Sequence, residues 1–156
     1  MEIDIVYDCS ETDWKAVSET LKRVGMAYEE PDVHKRAFEA SHTTVFVYLA
    51  NRLADRLGNR LADRRAGQMI GFGRAISDGA YQAAVYDVAV VPEFQKMGIG
   101  QMIMEKILER LKGCNVILYA RPGKEEFYRR LGLRKMKTGM ALFRNPEKMA
   151  EKGFTE

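Results

Sequence analysis

The sequence has few of the residues on which disulfide-rich, metal-binding and membrane-spanning proteins depend. Two cysteines and two histidines occur among 156 residues. The cysteines lie far apart, and His34 and His42 share no obvious helix face, so we predict neither a disulfide framework nor a metal site. The longest apolar run, residues 83–91, is interrupted by Asp87 and is far too short to cross a bilayer.

The chain also carries little net charge. A formal charge of +3 favours anionic ligands mildly but is not typical of a nucleic-acid-binding protein. Residues 1–4 offer no basic region leading into an apolar stretch, so we expect no signal peptide and a cytoplasmic location. With 46% hydrophobic and 30% charged residues, the composition is that of an ordinary globular domain. We therefore predict no nucleic-acid partner and no membrane partner.

Hydrophobic periodicity predicts one α/β domain. The predicted strands are 3–7, 43–49, 68–76, 81–91, 116–120, 133–137 and 140–143, and the predicted helices are 14–24, 31–40, 100–112 and 124–131. Antiparallel strands come first, whereas the later strand–helix–strand order needs a parallel pair. We therefore expect a mixed sheet flanked by helices over residues 1–145, followed by a polar, frayed tail at 146–156.

The first two helices are predicted to be amphipathic. Ser10 and Thr12 are both credible N-caps for the first of them. In the second, Val33, Ala37 and Phe38 are predicted to face the core.

Residues 51–66 contain an internal duplication. The letters NRLADR occur at 51–56 and again at 59–64, inside the connection between two predicted strands. A basic arm that grips phosphate or a partner is one interpretation. An exposed loop extension is the other, and we favour it because Asp55 and Asp63 offset the arginines.

The most informative segment is residues 86–100, in which an apolar strand runs through Pro92 into a loop with two glycines and then a helix. Unpaired N–H groups and partial positive charge at a helix N-terminus suit a phosphate or pyrophosphate. Two known phosphate motifs do not fit. A P-loop needs Lys and Ser or Thr after the last glycine, where Gln101 stands, and a dinucleotide fingerprint needs a third small residue, where Ile103 stands.

The segment resembles the acetyl-CoA signature of the GNAT superfamily of N-acetyltransferases. Residues 95–100, Gln-Lys-Met-Gly-Ile-Gly, match its Gln/Arg-x-x-Gly-x-Gly/Ala pattern. Residues 87–92 resemble the strand that feeds this loop, and residues 127–133 resemble a Phe-Tyr-x-x-x-Gly-Phe segment in the next helix. The family often has an asparagine shortly before the Phe-Tyr pair, whereas residues 121–126 of this chain have none.

The resemblance implies a GNAT-like fold and acetyl-CoA as the acetyl donor. The sheet would splay between strand 81–91 and strand 115–120, and the exposed edge would pair with the pantetheine arm. The loop amides would hold the pyrophosphate, Val90 N–H would polarise the thioester carbonyl, and Lys124 would meet a phosphate. The predicted cofactor-binding residues are Val88, Ala89, Val90, Gln95, Lys96, Met97, Gly98, Ile99, Gly100, Gln101, Lys124 and Phe127.

Two residues are candidates for proton transfer. By the resemblance, Tyr128 is the general acid for the departing thiolate; a core tyrosine with a paired hydroxyl is the alternative. Asp87 interrupts an apolar strand near the predicted reaction centre and is the candidate base. It could equally bind the substrate ammonium or make a structural hydrogen bond, and the proton could leave through ordered water instead.

The acceptor is predicted to be a small primary amine whose identity the sequence leaves open. Tyr28, Glu29 and Glu30, between the first two helices, would suit an amine with an apolar body. A homodimer is common among similar proteins. Two alternatives remain: a non-catalytic acyl-CoA-binding module, and an RNA- or protein-binding module that uses the arginine-rich insert.

Overall fold

The computed structural model describes residues 1–51 and 67–156. These residues form two compact units, Met1–Ile117 and Leu118–Glu156. Apart from Asn51, the duplicated NRLADR insert lies outside the described residues, so its two interpretations stay predictions.

The first unit contains the elements that periodicity predicts, with small differences at their ends. In chain order they are β1 (Ile3–Val6), α1 (Trp14–Arg23), α2 (Pro31–Glu39), β2 (Thr43–Leu49), β3 (Met69–Ser77), β4 (Gln82–Val90), a 3-10 turn (Pro92–Phe94), α3 (Ile99–Glu109) and β5 (Asn115–Ile117). The predicted β-α-α-β-β-β-α-β order of this unit is confirmed.

The five strands form one mixed sheet in the order β1-β2-β3-β4-β5. The first three pairings are antiparallel, and β4 pairs with β5 in parallel, as the crossover through α3 requires. β5 is short, and its pairing with β4 covers Gln82, Ala83 and Ala84 alone. β4 continues to Val90 beyond this pairing. The mixed sheet is therefore confirmed, and its two last strands part after Ala84.

Helices cover both faces of the sheet because successive strand residues point to opposite sides. On one face, Phe46 and Phe72 are buried with Phe38 of α2 and with Val17 and Leu21 of α1. The ring centroids of Phe38 and Phe46 are 5.6 Å apart. On the other face, α3 contributes a buried stripe that consists of Ile99, Ile103, Met104 and Ile107. Burying each such side chain fully stabilises the fold by about 1.5–3 kcal/mol.

Two glycines of β3 let α3 approach the sheet closely. A Cβ at Gly71 would lie 2.9 Å from Ile103 Cδ1 and 3.1 Å from the Ala89 carbonyl oxygen. A Cβ at Gly73 would lie 2.9 Å from Ile103 Cγ2 and 3.0 Å from Ile107 Cδ1. The glycines therefore set the distance between the sheet and α3, the helix that follows the loop predicted to bind phosphate.

Replacing Gly73 by valine is expected to lower the free energy of unfolding by about 1–3 kcal/mol, because its methyl groups overpack the contact with α3. Denaturant unfolding followed by circular dichroism measures this. Gly139→Val is the control, since a Cβ there would meet Met136 Cβ at an ordinary 3.8 Å. Equal stability of the two variants would contradict the close packing of α3 on Gly73.

The cap of α1 and the buried face of α2 differ from prediction. Asp13 caps α1, and its carboxylate accepts the Ala16 N–H at 3.1 Å. Neither predicted residue serves, because Ser10 bonds to Asp8, and Thr12 is buried with no hydroxyl partner among the described residues. In α2 the buried residues are His34 and Phe38, whereas the predicted Val33 and Ala37 are only partly buried.

The second unit contains two short helices, α4 (Glu125–Arg129) and α5 (Pro146–Glu151). The predicted closing strands at 133–137 and 140–143 are wrong, since these residues have no regular structure. Met140 and Leu142 are 95% and 99% exposed, so the segment has no buried apolar face to hold it as a strand pair. The predicted frayed tail is also wrong, because Asn145 caps α5 and Phe154 packs edge-on against Tyr119.

Candidate active site

A β-bulge distorts β4 shortly after it parts from β5. Phe72 is opposite Ala89 and Arg74 is opposite Tyr86, so Asp87 and its neighbour Val88 oppose a single residue of β3. Asp87 has a φ of +55°, the left-handed conformation that few residues other than glycine adopt. Backbone conformations of this kind cost about 1–3 kcal/mol and cluster at functional sites.

The carboxylate of Asp87 is held by Arg74. Arg74 Nε donates to Asp87 Oδ2 at 2.6 Å, and the two side chains are 14% and 21% exposed. The guanidinium also lies over the rings of Phe38 and Tyr86, at 5.5 and 5.4 Å from their centroids, and donates to Ser41 Oγ at 3.3 Å. Arg74 therefore orients the carboxylate and supplies the counter-charge that a half-buried anion needs.

The loop before α3 presents main-chain donors. Lys96 has a φ of +62° and Gly98, the N-cap of α3, has a φ of +81°. Met102 N–H donates to the Gly98 carbonyl at 3.0 Å and is the first amide that can close a helical bond to it. Helix geometry leaves the earlier first-turn amides, those of Ile99, Gly100 and Gln101, without partners within the helix. This end of α3 therefore has the donors and the partial positive charge that bind anions.

Space in front of this loop is open. A Cβ at Gly98 would meet no described atom within 4 Å. A glycine at this position therefore lets a ligand approach the backbone directly. An α3 N-terminus with amide donors and open space fits a pyrophosphate.

The end of β4 is tied to the same loop. Gln95 Nε2 donates to the Val90 carbonyl at 3.1 Å, and Gln95 N–H donates to the Pro92 carbonyl at 3.3 Å. Val91 N–H donates to Ile70 on β3 at 2.9 Å. Because alternate residues of a strand point their backbone groups to opposite sides, Val90 N–H points away from β3 and towards the side on which the sheet opens.

The structure brings most of the predicted cofactor-binding residues together. Those on β4 and those on the loop lie on consecutive elements of the first unit; they are Val88, Ala89, Val90, Gln95, Lys96, Met97, Gly98, Ile99, Gly100 and Gln101. Gln95 differs from prediction in one respect, since its N–H is already used within the turn. Lys124 and Phe127 lie in the second unit, where Lys124 is the exposed residue that precedes α4.

Tyr128 lies on α4 in the second unit. It is partly buried, and its ring contacts that of Phe127 edge-on, with centroids 5.0 Å apart. Burial raises the pKa of the Tyr128 phenol above its ordinary value of 10.0. The hydroxyl therefore stays protonated at neutral pH, as a general acid must.

The predicted acceptor residues lie in the connection between α1 and α2. Tyr28 is 49% exposed, and the Lys22 ammonium lies 5.6 Å from the centroid of its ring. Glu30 is exposed, whereas Glu29 is partly buried. The main chain of Glu29 is fixed on both sides, since its N–H donates to His34 Nε2 at 2.8 Å and its carbonyl accepts from Ser18 Oγ at 2.6 Å.

Sequence reasoning missed His34 and Arg74. The signal for His34 was its spacing, because it stands four residues before Phe38 and so shares the buried face of α2. The signal for Arg74 was a lone cation inside an apolar strand whose neighbour carries a lone carboxylate. Each pattern identifies a buried polar residue but not its partner.

Comparisons with known proteins agree with this geometry. A family model described as an acetyltransferase (GNAT) domain matches residues 42–135. A protein named serotonin N-acetyltransferase 2, chloroplastic, from Oryza sativa subsp. japonica is 34% identical over 120 residues, which are 75% of this chain and 54% of that protein. One named GCN5-related N-acetyltransferase 1, chloroplastic, from Arabidopsis thaliana is 46% identical over 66 residues, which are 40% of this chain and 34% of that protein.

A solved structure supports the fold. It is a GNAT-family acetyltransferase from Streptococcus pneumoniae TIGR4, which matches with a TM-score of 0.64 at 20% identity over 92% of this chain and 99% of that one.

The chain spans about half or less of the length of the two curated relatives above. Within the described part of the chain, no helix combines the length and apolar composition that crossing a membrane requires.

Proposed function

Because this chain belongs to the GNAT acetyltransferase family, we propose that it transfers the acetyl group of acetyl-CoA to a primary amine, by direct attack within a ternary complex. One observation carries this proposal. β4 parts from β5 after Ala84 and leads, through Pro92, to Gly98. Gly98 has a left-handed backbone conformation and directly precedes the first-turn amides of α3. An exposed strand edge beside an anion-binding helix end suits a ligand that has both amides and phosphates.

The residues have distinct tasks in this proposal. Acetyl-CoA supplies a thioester carbonyl when it binds. Asp87, oriented by Arg74, accepts a proton from the amine so that its lone pair can form the new N–C bond. Val90 N–H donates to the carbonyl oxygen as negative charge develops there. Tyr128 supplies the proton that the sulfur needs when the C–S bond breaks, and the products are an N-acetylamine and coenzyme A.

We propose an arylalkylamine as the acceptor class. The rice relative is named for serotonin, an amine of this kind. In this chain, the connection between α1 and α2 presents the exposed ring of Tyr28, and two acidic residues, Glu29 and Glu30, follow it in the sequence. An aromatic surface next to an acidic group matches an aromatic body that carries an ammonium.

A thiol-release assay with serotonin, spermidine and a lysine-containing peptide tests the function. We expect acetyl-CoA turnover that depends on serotonin. Asp87→Asn is expected to lower kcat about 100-fold, because asparagine tolerates the left-handed backbone but is not a base. Asp78→Asn is the control, since this aspartate lies in the turn between β3 and β4 and accepts main-chain N–H groups there.

Other outcomes decide between the alternatives. Coenzyme A binding without thiol release for any amine would indicate a non-catalytic acyl-CoA-binding module. Turnover with spermidine or the peptide alone would keep the acetyl transfer and reject the arylalkylamine. Equal kcat for Asp87→Asn and the wild type would remove Asp87 from the proton transfer.

A further inference from the structure

His34 is a buried imidazole that the chemistry proposed above does not use. It lies on α2 with 4% of its surface exposed. Its Nε2 accepts the Glu29 N–H at 2.8 Å. Because a backbone N–H can only donate, Nε2 must be unprotonated, and the imidazole is therefore neutral with its proton on Nδ1.

This hydrogen bond fixes a segment that carries the acceptor residues. Glu29 is held from two helices, through its N–H by His34 on α2 and through its carbonyl by Ser18 on α1. Both peptide groups that flank its Cα are thereby restrained. The main chain from which the Glu29 side chain projects is therefore tied to both helices.

Charged groups from three elements act on the imidazole. They are Asp87 on β4, Arg74 on β3 and Glu29 in the connection before α2. Burial lowers the pKa of His34 below its ordinary value of 6.5, the two carboxylates act to raise it, and Arg74 acts to lower it further. The net effect is a lowered pKa, so the neutral form prevails at pH 7 and is lost only as the pH falls below 6.5.

We propose that neutral His34 is a positioning residue for the acceptor: it holds residues 28–30 in place for the amine and releases them when the imidazole is protonated. The proposal rests on the proposed acetyl transfer to an amine. Protonation would turn Nε2 from an acceptor into a donor that faces the Glu29 N–H, so the hydrogen bond between them would break. Amine affinity, rather than cofactor affinity, therefore depends on this histidine.

Amide hydrogen exchange of Glu29, followed by NMR, tests the hydrogen bond without any substrate. In His34→Leu we expect exchange at least about tenfold faster than in the wild type, because the amide loses its buried acceptor. His34→Gln retains a carbonyl acceptor and is expected to preserve protection. His42→Gln is the matched control, since His42 is exposed and contacts its neighbour Thr43.

Steady-state kinetics with serotonin test the consequence for the acceptor. We expect His34→Leu to raise the KM for serotonin about tenfold or more, with the Kd for acetyl-CoA unchanged. As the pH falls below 6.5, the ratio of wild-type to His34→Gln KM is expected to rise, because only histidine takes a proton there. Deprotonation of serotonin itself affects both proteins equally and cancels in the ratio.

The outcomes separate this proposal from the proposed function. Absence of acetyl transfer to any amine would overturn the function, while the exchange rates would still decide whether His34 holds Glu29. Normal turnover together with unchanged Glu29 protection in a folded His34→Leu protein would overturn the positioning role alone. A KM ratio that stays constant from pH 8 down to the lowest pH at which both proteins remain folded would overturn the release by protonation.

Discussion

Valine in place of Gly98 is expected to raise the Kd for acetyl-CoA at least about 100-fold, because the left-handed backbone costs an L-residue about 1–2 kcal/mol and a shifted loop loses its aligned amides. Gly98 has a φ of +81°, and a side chain there would project into open space in front of the loop. Valine would occupy the space through which phosphates approach the main chain. Isothermal titration with acetyl-CoA measures the loss.

Gly113 offers a matched control for this substitution. It also has a positive φ, +86°, and a Cβ there would likewise meet no described atom within 4 Å. It lies beyond the opposite end of α3, so Gly113→Val brings similar backbone strain without touching the loop. We expect both variants to lose similar stability and only Gly98→Val to lose acetyl-CoA. An equal loss of acetyl-CoA affinity in the two variants would show that backbone strain, rather than a blocked approach to the loop, explains the effect.

Phenylalanine in place of Tyr128 is expected to lower kcat about 100-fold, the usual contribution of a general acid, with the Kd for acetyl-CoA within about twofold of the wild type. The substitution removes only the hydroxyl and keeps the ring that contacts Phe127. Stopped thiol-release assays at saturating amine give kcat. Tyr81→Phe is the control, because Tyr81 is exposed and lies on the other unit.

The pH dependence of kcat gives a second test of Tyr128. Burial raises the pKa of its phenol above 10.0, so the acid stays protonated across the range in which the protein can be assayed. We therefore expect that kcat of the wild type does not fall below about pH 10 through ionisation of Tyr128. The alkaline side of the pH profile should then have the same shape in the wild type and in Tyr128→Phe. An unchanged kcat in the variant would exclude Tyr128 as the acid, whereas such a fall would show that its phenol loses its proton below its ordinary pKa of 10.0 and would contradict the raised pKa.

The conformation of the loop before α3 was predictable from the sequence because its features are local. An apolar strand, a proline, two glycines and an amphipathic helix follow one another within residues 86–100, and each has its own conformational preference. The same holds for the order of strands and helices in the first unit, where the periodicity is strong. Local patterns thus sufficed wherever neighbouring residues determine the geometry.

Long-range partners were not predictable. The sequence around Asp87 indicates neither its β-bulge nor its ion pair with Arg74. Both depend on the register of β4 against β3. His34 carries the spacing of a buried residue but gives no sign that its partner is the Glu29 amide. Such contacts depend on how separate elements meet, and this information is spread over the whole chain.

The segment 133–143 shows the opposite error, because here a local pattern predicted strands that the protein does not form. Residues 133–137 and 140–143 have the alternation and the Gly139 turn of a hairpin, yet they form no strands. A two-stranded hairpin is marginal unless a third strand or a packed face supports it. Met140 and Leu142 are exposed, so the local pattern lacks that support.

The most direct test of the central claim is a thermal-unfolding measurement of the wild-type chain with coenzyme A. If main-chain amides at the start of α3 hold the pyrophosphate, coenzyme A at about 100 times its Kd should stabilise the protein by about 2.7 kcal/mol and raise the melting temperature by several degrees. Gly98→Val should show no such rise. An unchanged melting temperature of the wild type in millimolar coenzyme A would contradict both the phosphate site and the acetyl transfer that depends on it.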